Sequence, residues 1–129
     1  MLDLDLLPGE YAVCRLPAGT PLPASLNRGP NDKSVVSVTW APDETSIICP
    51  AGLAPPDASA ETPWRCLRVV GPLDFALVGV LASLVGPLAE ARVSVVTFST
   101  YDTDYVLVPT VRLADASNAL IRAGHRIAE

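Results

Sequence analysis

Residues 64–109 read WRCLRVVGPLDFALVGVLASLVGPLAEARVSVVTFSTYDTDYVLVP, and the succession of element types in this run decides the fold. Trp64 to Val70 (WRCLRVV) reads as a strand closed by Gly71-Pro72. Asp74 stands where a helix cap belongs, ahead of the uncharged segment Phe75 to Ala89. At helical spacing that segment gives one apolar stripe at Phe75, Val78, Ala82, Val85 and Ala89, and another at Leu77, Leu81, Leu84 and Leu88. The third side carries Ala76, Gly79, Ser83 and Gly86, small residues that let another backbone or a ligand come close. The segment falls short of the roughly 20 helical residues that a bilayer needs, so a buried helix is expected and no membrane partner. Arg92 to Phe98 and Tyr105 to Val108 read as strands around the polar turn Ser99 to Asp104. Leu113, Ala116, Leu120 and Ala123 have helical spacing with Gly124 as the stop, and His125 to Ile127 begins a last strand. The order is β-α-β-β-α-β, so the expected class is α+β with a ferredoxin-like sandwich.

Upstream, Tyr11 to Leu16, Ser34 to Trp40 and Ser46 to Cys49 read as strands. Most of the thirteen prolines, Pro30 among them, fall before residue 73. They make Pro17 to Lys33 a loop with at most one helical turn near Ala24 to Leu26, and Ala51 to Pro63 a linker. The two halves also resemble each other. VSVTWAPDETSIICP (Val36 to Pro50) lies over VSVVTFSTYDTDYVLVP (Val93 to Pro109), and YAVCRL (Tyr11 to Leu16) lies over WRCLRV (Trp64 to Val69). Two tandem modules are therefore expected, with a degenerate module at 1–56, a linker at 57–63 and a complete module at 64–129.

Half of the 129 residues are apolar, and 9 Lys+Arg stand against 14 Asp+Glu for a formal charge of -5. Phosphate neutralisation needs a cationic surface that this chain lacks, so no nucleic acid partner is expected. So much apolar surface in a short chain points to a homodimer or to close packing on a partner. Cys14, Cys49 and Cys66 lie in apolar runs without a C-x-x-C pair, and one histidine does not complete a zinc set. They read as buried free thiols, with no metal and no cofactor implied. The start MLDLDLLPGE lacks the basic and apolar regions of a secretory signal, which makes the cytoplasm the expected compartment.

The runs GPLDFALVGVL (Gly71 to Leu81) and STYDTDY (Ser99 to Tyr105) resemble those of the ACT-domain family. More narrowly, the chain resembles small bacterial proteins of two ACT modules, related to the regulatory modules of lysine-sensitive aspartate kinase and to the eukaryotic cytosolic arginine sensor. The resemblance implies a regulatory protein that binds a free amino acid at an interface between ACT modules, usually across a dimer. Carried over by motif, the ligand loop is Gly71, Pro72, Leu73, Asp74 and Phe75 with the turn through Val78, Gly79 and Val80. The opposing wall is the strand edge and turn that ends in Ser99, Thr100, Tyr101, Asp102, Thr103 and Asp104. The first module lacks the G-x-L-D-F run, so the resemblance does not imply an equivalent site there.

The residue types suit such a ligand. An α-carboxylate needs donors that are cheap to desolvate, and free backbone N–H groups at a helix start provide them. An α-ammonium needs acceptors, and Asp74, Asp102 and Asp104 are the available anions. Each residue also has a plainer reading. Asp74 can simply cap the helix, Asp102 and Asp104 can shape their turn, and Ser99, Thr100 and Thr103 can hydrogen-bond within it. Phe75 and Tyr101 read as core or interface aromatics, Trp40 and Trp64 as covers for an edge of the core, and His125 as a surface residue beside the helix stop. Two rival functions follow, a ligand-free protein interaction module and a small enzyme using the Asp/Tyr cluster. No catalytic residue is assigned, because those carboxylates have no nucleophile or electrophile beside them and the chain shows no P-loop, triad or metal set. The expected function is a non-enzymatic sensor that acts on a regulated partner protein.

Overall fold

The protein is described by a computed structural model covering residues 1–29 and 31–129; Pro30, placed by sequence in the proline-rich loop, lies outside the described residues. The strands are β1 (Asp3–Leu6), β2 (Tyr11–Leu16), β3 (Ser37–Trp40), β4 (Thr45–Pro50), β5 (Ser59–Val69), β6 (Val96–Ser99), β7 (Asp104–Pro109) and β8 (Arg126–Ala128), and the helices are α1 (Val80–Glu90) and α2 (Leu113–Arg122). The chain divides into two compact units, one of Met1–Leu7 with Arg65–Glu129 and one of Pro8–Trp64.

In the unit that holds both helices, β5, α1, β6, β7, α2 and β8 follow in the expected βαββαβ order. The sheet runs β6-β7-β5-β1-β8, with β1 inserted beside β5. It is antiparallel to β5, with Leu4 opposite Val69, and parallel to β8, with Leu4 opposite Ile127. In MLDLDLL, Leu2, Leu4 and Leu6 alternate with Asp3 and Asp5. Aspartate is a poor strand former, but each one here meets an arginine of a neighbouring strand. Asp3 is 2.6 Å from Arg126, and Asp5 is 3.7 Å from Arg68. Leu4, Leu67, Val69, Leu84, Leu88, Val106 and Leu120 close the core, and full burial of each such side chain contributes roughly 1.5–3 kcal/mol.

The helix that was expected from Phe75 begins only at Val80. Asp74 closes a local turn instead of capping it, its Oδ1 accepting the Ala76 N–H at 2.8 Å and its carbonyl the Leu77 N–H at 3.0 Å. Gly79 then adopts a left-handed φ of 81°, which separates the turn from the helix. Only the Leu84 and Leu88 end of the leucine stripe is buried. The small-residue face is open within this chain, since a Cβ built on Gly79 or Gly86 meets nothing within 4 Å.

His125 is not at the surface. It is buried, and its ring reaches the backbone of Leu2 and of Ser83. The three cysteines are buried free thiols.

The unit Pro8–Trp64 orders its strands β3-β4-β2 followed by the first half of β5. Segment 57–63, read as a linker, becomes strand from Ser59 because it pairs with β2, placing Ala60 opposite Cys14 and Glu61 opposite Val13. The register slips between Val13 and Tyr11, where β5 has one residue too many. Pro63 sits in that bulge, the position in a strand that a residue without an N–H tolerates. Ala12, Cys14, Ile47 and Cys49 form this unit's core, with Leu26 of the one-turn 3-10 helix Ala24–Leu26 packed among them. Among the described residues of this unit no α-helix forms. Pro50 and Pro109 close the corresponding strands β4 and β7 with the same backbone, φ/ψ of -51/138 and -55/137, and each opens a 3-10 turn. Past Pro109 that turn runs into α2, whereas past Pro50 the chain meets Pro55-Pro56 and forms no helix. Trp40 is 67% exposed and covers no core, and Trp64 is partly buried with its Nε1–H donated to the Glu61 carbonyl.

Candidate functional site

Two loops of the helix-bearing unit face one another: the segment that leaves β5 and enters α1, and the turn between β6 and β7. Their approach depends on Gly71. A Cβ there would lie 3.1 Å from the Asp102 carbonyl oxygen, 3.2 Å from the Leu73 nitrogen and 3.2 Å from the Thr103 Cβ. With no side chain in the way, the Leu73 N–H donates to the Asp102 carbonyl at 2.7 Å. Thr103, 3% exposed, donates its hydroxyl to the Val69 carbonyl at 2.6 Å and so ties the turn to the end of β5. The turn also closes on itself, the Thr100 N–H donating to the Thr103 carbonyl at 2.9 Å and the Ser99 hydroxyl to Asp104 Oδ1 at 2.6 Å.

Between the loops lies an open cavity of about 190 Å³, lined by Leu73, Asp74, Phe75, Leu77 and Val80 on one side and by Ser99 to Asp104 on the other. That volume corresponds to about six liquid waters, the scale of a small metabolite. Phe75 and Tyr101 meet edge to face with ring centroids 4.9 Å apart. They are 73% and 81% exposed, so neither is a core residue. Among the lining residues there are three carboxylates and no cation. Asp74 and Asp104 each spend an oxygen on a local bond, whereas the Asp102 carboxylate has no hydrogen-bond or ion-pair partner among the described residues. The helix beginning at Val80 has no side-chain cap, and its first internal amide bond is that of Ser83 to the Gly79 carbonyl at 3.0 Å. The amides ahead of it are free to meet an anion.

Of the residues that sequence brought forward, Leu73, Asp74, Phe75, Val80, Ser99, Thr100, Tyr101, Asp102, Thr103 and Asp104 stand around this cavity. Gly71, Val78 and Gly79 do not line it. Gly71 permits the approach of the two loops, Gly79 supplies a backbone conformation, and Val78 points away at 94% exposure. Leu77 lines the cavity and was assigned to a helix stripe; nothing in its neighbourhood distinguished a loop leucine from a helical one.

The strand order and this loop-lined cleft define a ferredoxin-like α+β protein with its cleft between the first loop and the central hairpin. The sequence model of the ACT domain matches residues 59–122, and the chain belongs to the ACT-domain family. A protein of Agobacterium tumefaciens of known crystal structure is 32% identical, with a TM-score of 0.86 over 98% of this chain and 92% of its own. The human cytosolic arginine sensor for mTORC1 subunit 1 is 40% identical over 67 residues, which is 51% of this chain but only 20% of that protein. The regulatory subunit of aspartate kinase from Thermus thermophilus shares the fold at 14% identity, with a TM-score of 0.59 over 96% of both chains. No helix among the described residues is long and apolar enough to cross a membrane.

Proposed function

We propose that the protein is a non-enzymatic regulatory module that binds a free amino acid in the cavity between Leu73–Val80 and Ser99–Asp104. The observation that carries this reading is the pairing of unlike polarities across one small cleft. Asp104 and Asp102, the latter unpartnered among the described residues, stand on one wall, and the uncapped amides of α1 open near Val80 on the other, which also carries Asp74. An α-amino acid presents the complementary pair, an ammonium for the former and a carboxylate for the latter. Three carboxylates without a neighbouring cation favour a basic over an acidic side chain. The similarity to an arginine sensor supports the same class of ligand. In this reading the unit Pro8–Trp64 is a reduced tandem copy without a site of its own, the protein is cytoplasmic, and the activity it controls belongs to a partner protein.

Phe75, Leu77 and Tyr101 form an exposed apolar rim around the cavity, and we assign that rim to contact with a second copy in a homodimer. The same rim favours a second reading, in which the module docks a protein partner without any ligand. A thermal-shift screen against the standard amino acids, followed by calorimetry, separates the two. A ligand at about 100 times its dissociation constant adds roughly 2.7 kcal/mol of stability, so a selective shift is expected for a basic amino acid. A flat screen at millimolar concentrations would leave only the interaction module.

A further inference from the structure

Helix α1 contains Pro87, whose ring nitrogen carries no hydrogen. In an α-helix the carbonyl four residues earlier takes its bond from that position, so Ser83 has a carbonyl without a backbone donor. His125 stands in its place. The ring is 5% exposed, with Nε2 2.9 Å from the Ser83 carbonyl oxygen and Nδ1 3.1 Å from the Leu2 amide nitrogen. The amide is only a donor, so Nδ1 is the acceptor and the ring proton resides on Nε2, from which it is donated to Ser83. The backbone that carries the ring is itself held on both sides, because the His125 backbone N–H donates to the Leu120 carbonyl at 3.1 Å and the next amide, of Arg126, to the Leu2 carbonyl at 2.9 Å.

Ser83 also closes the first turn of the helix. Its N–H donates to the Gly79 carbonyl at 3.0 Å and its hydroxyl to the Val80 carbonyl at 2.6 Å, and Val80 lines the cavity. We infer that His125 is a positioning residue for the cavity: it supplies the hydrogen bond that Pro87 cannot, and thereby pins the first turn of α1 to the backbone that leads into β1. Its bearing on ligand rests on the proposed reading of the cavity, whereas its hold on α1 does not. Any shift of this turn moves Val80 and the uncapped amides together, since one hydrogen-bonded peptide joins them.

The test is a double-mutant cycle of His125→Phe and Pro87→Ala in the full chain, read by urea unfolding and by backbone amide NMR, together with the ring nitrogen shifts of the unaltered protein. Pro87→Ala returns an N–H to the Ser83 carbonyl. His125→Phe is therefore expected to cost less stability in that background, and to displace the signals of Gly79 to Ala82 only when Pro87 is present. The ring is expected to show a protonated Nε2 and a bare Nδ1. Equal costs in the two backgrounds, or a ring protonated on Nδ1 alone, would overturn the inference. Should His125→Phe not fold, the ring shifts and His125→Gln, whose amide keeps one donor and one acceptor, decide it in the same way. Titration with L-arginine and L-lysine adds the functional arm, with severalfold weaker binding expected in His125→Phe and recovery in the double variant. Unaltered affinity in His125→Phe would refute the role at the cavity. Failure of the unaltered protein to bind either amino acid, with the cycle still coupled, would count against the proposed function and not against the hold of His125 on α1.

Discussion

The Leu73 N–H donates to the Asp102 carbonyl at 2.7 Å, and this one bond joins the two walls of the cavity. It forms because the chain passes Gly71 with no side chain between the loops. Gly71→Ala places a methyl group 3.1 Å from that carbonyl, closer than ordinary van der Waals contact. Overpacking of this kind costs about 1–3 kcal/mol. The expected outcome is a lower urea midpoint together with weakened amino-acid binding; a variant as stable and as tight as the parent would show that the loops part easily.

Gly79 calls for a different argument, because space around it is open and only its φ of 81° constrains it. Gly79→Ala is expected to cost about 1–2 kcal/mol, the strain of a left-handed alanine. Gly79→Asn is expected to fall between alanine and the parent, since asparagine adopts that region more readily. Urea unfolding of the three proteins gives the order, and an alanine variant as stable as the parent would deny that the left-handed turn is needed.

Asp102→Asn separates binding from folding. The carboxylate has no partner among the described residues, so stability should change by no more than about 0.5 kcal/mol. Removing the charge from an ammonium-binding site should cost about 1.5–3 kcal/mol of affinity, read by calorimetry with the amino acid that the screen selects. Unchanged affinity would take Asp102 out of the site.

Thr103→Val keeps the shape and removes the hydroxyl bonded to the Val69 carbonyl. About 0.5–1.5 kcal/mol of stability, the net contribution of one hydrogen bond, should be lost in urea unfolding. A loss confined to binding would instead make Thr103 a ligand contact.

Burial pushes the Cys66 thiol up to about 12 from 9.0, and the Cys49 thiol likewise, with the neighbouring Cys14 adding to the rise at Cys49. Such thiols stay protonated and should resist a disulfide reagent at about pH 8 in the folded protein, then react once urea unfolds it. The linkage has a definite sign. Below the unfolded value of 9.0 both states are protonated and stability is at its full level, and it falls as pH rises from 9.0 towards about 12, where only the unfolded chain releases these protons. A urea midpoint that rises over that interval would contradict the burial.

The sequence by itself determined the βαββαβ order of the second half, the hairpin on which the candidate site stands and the loss of helices from the first half. Each of these is written locally, in β-branched runs, in the polar turn Ser99 to Asp104 and in prolines that no helix interior accommodates except singly. Tertiary structure alone decided the place of β1, the strand character of Ser59 to Pro63, the late start of α1 at Val80 and the burial of His125. Asp3 and Asp5 become strand residues only beside Arg126 and Arg68, Ala60 and Glu61 only beside β2, and His125 a core residue only beside Leu2 and a carbonyl that Pro87 leaves open. These partners lie far away along the chain, and even the alternation of Leu2, Leu4 and Leu6 with Asp3 and Asp5 does not say which strands will lie beside it.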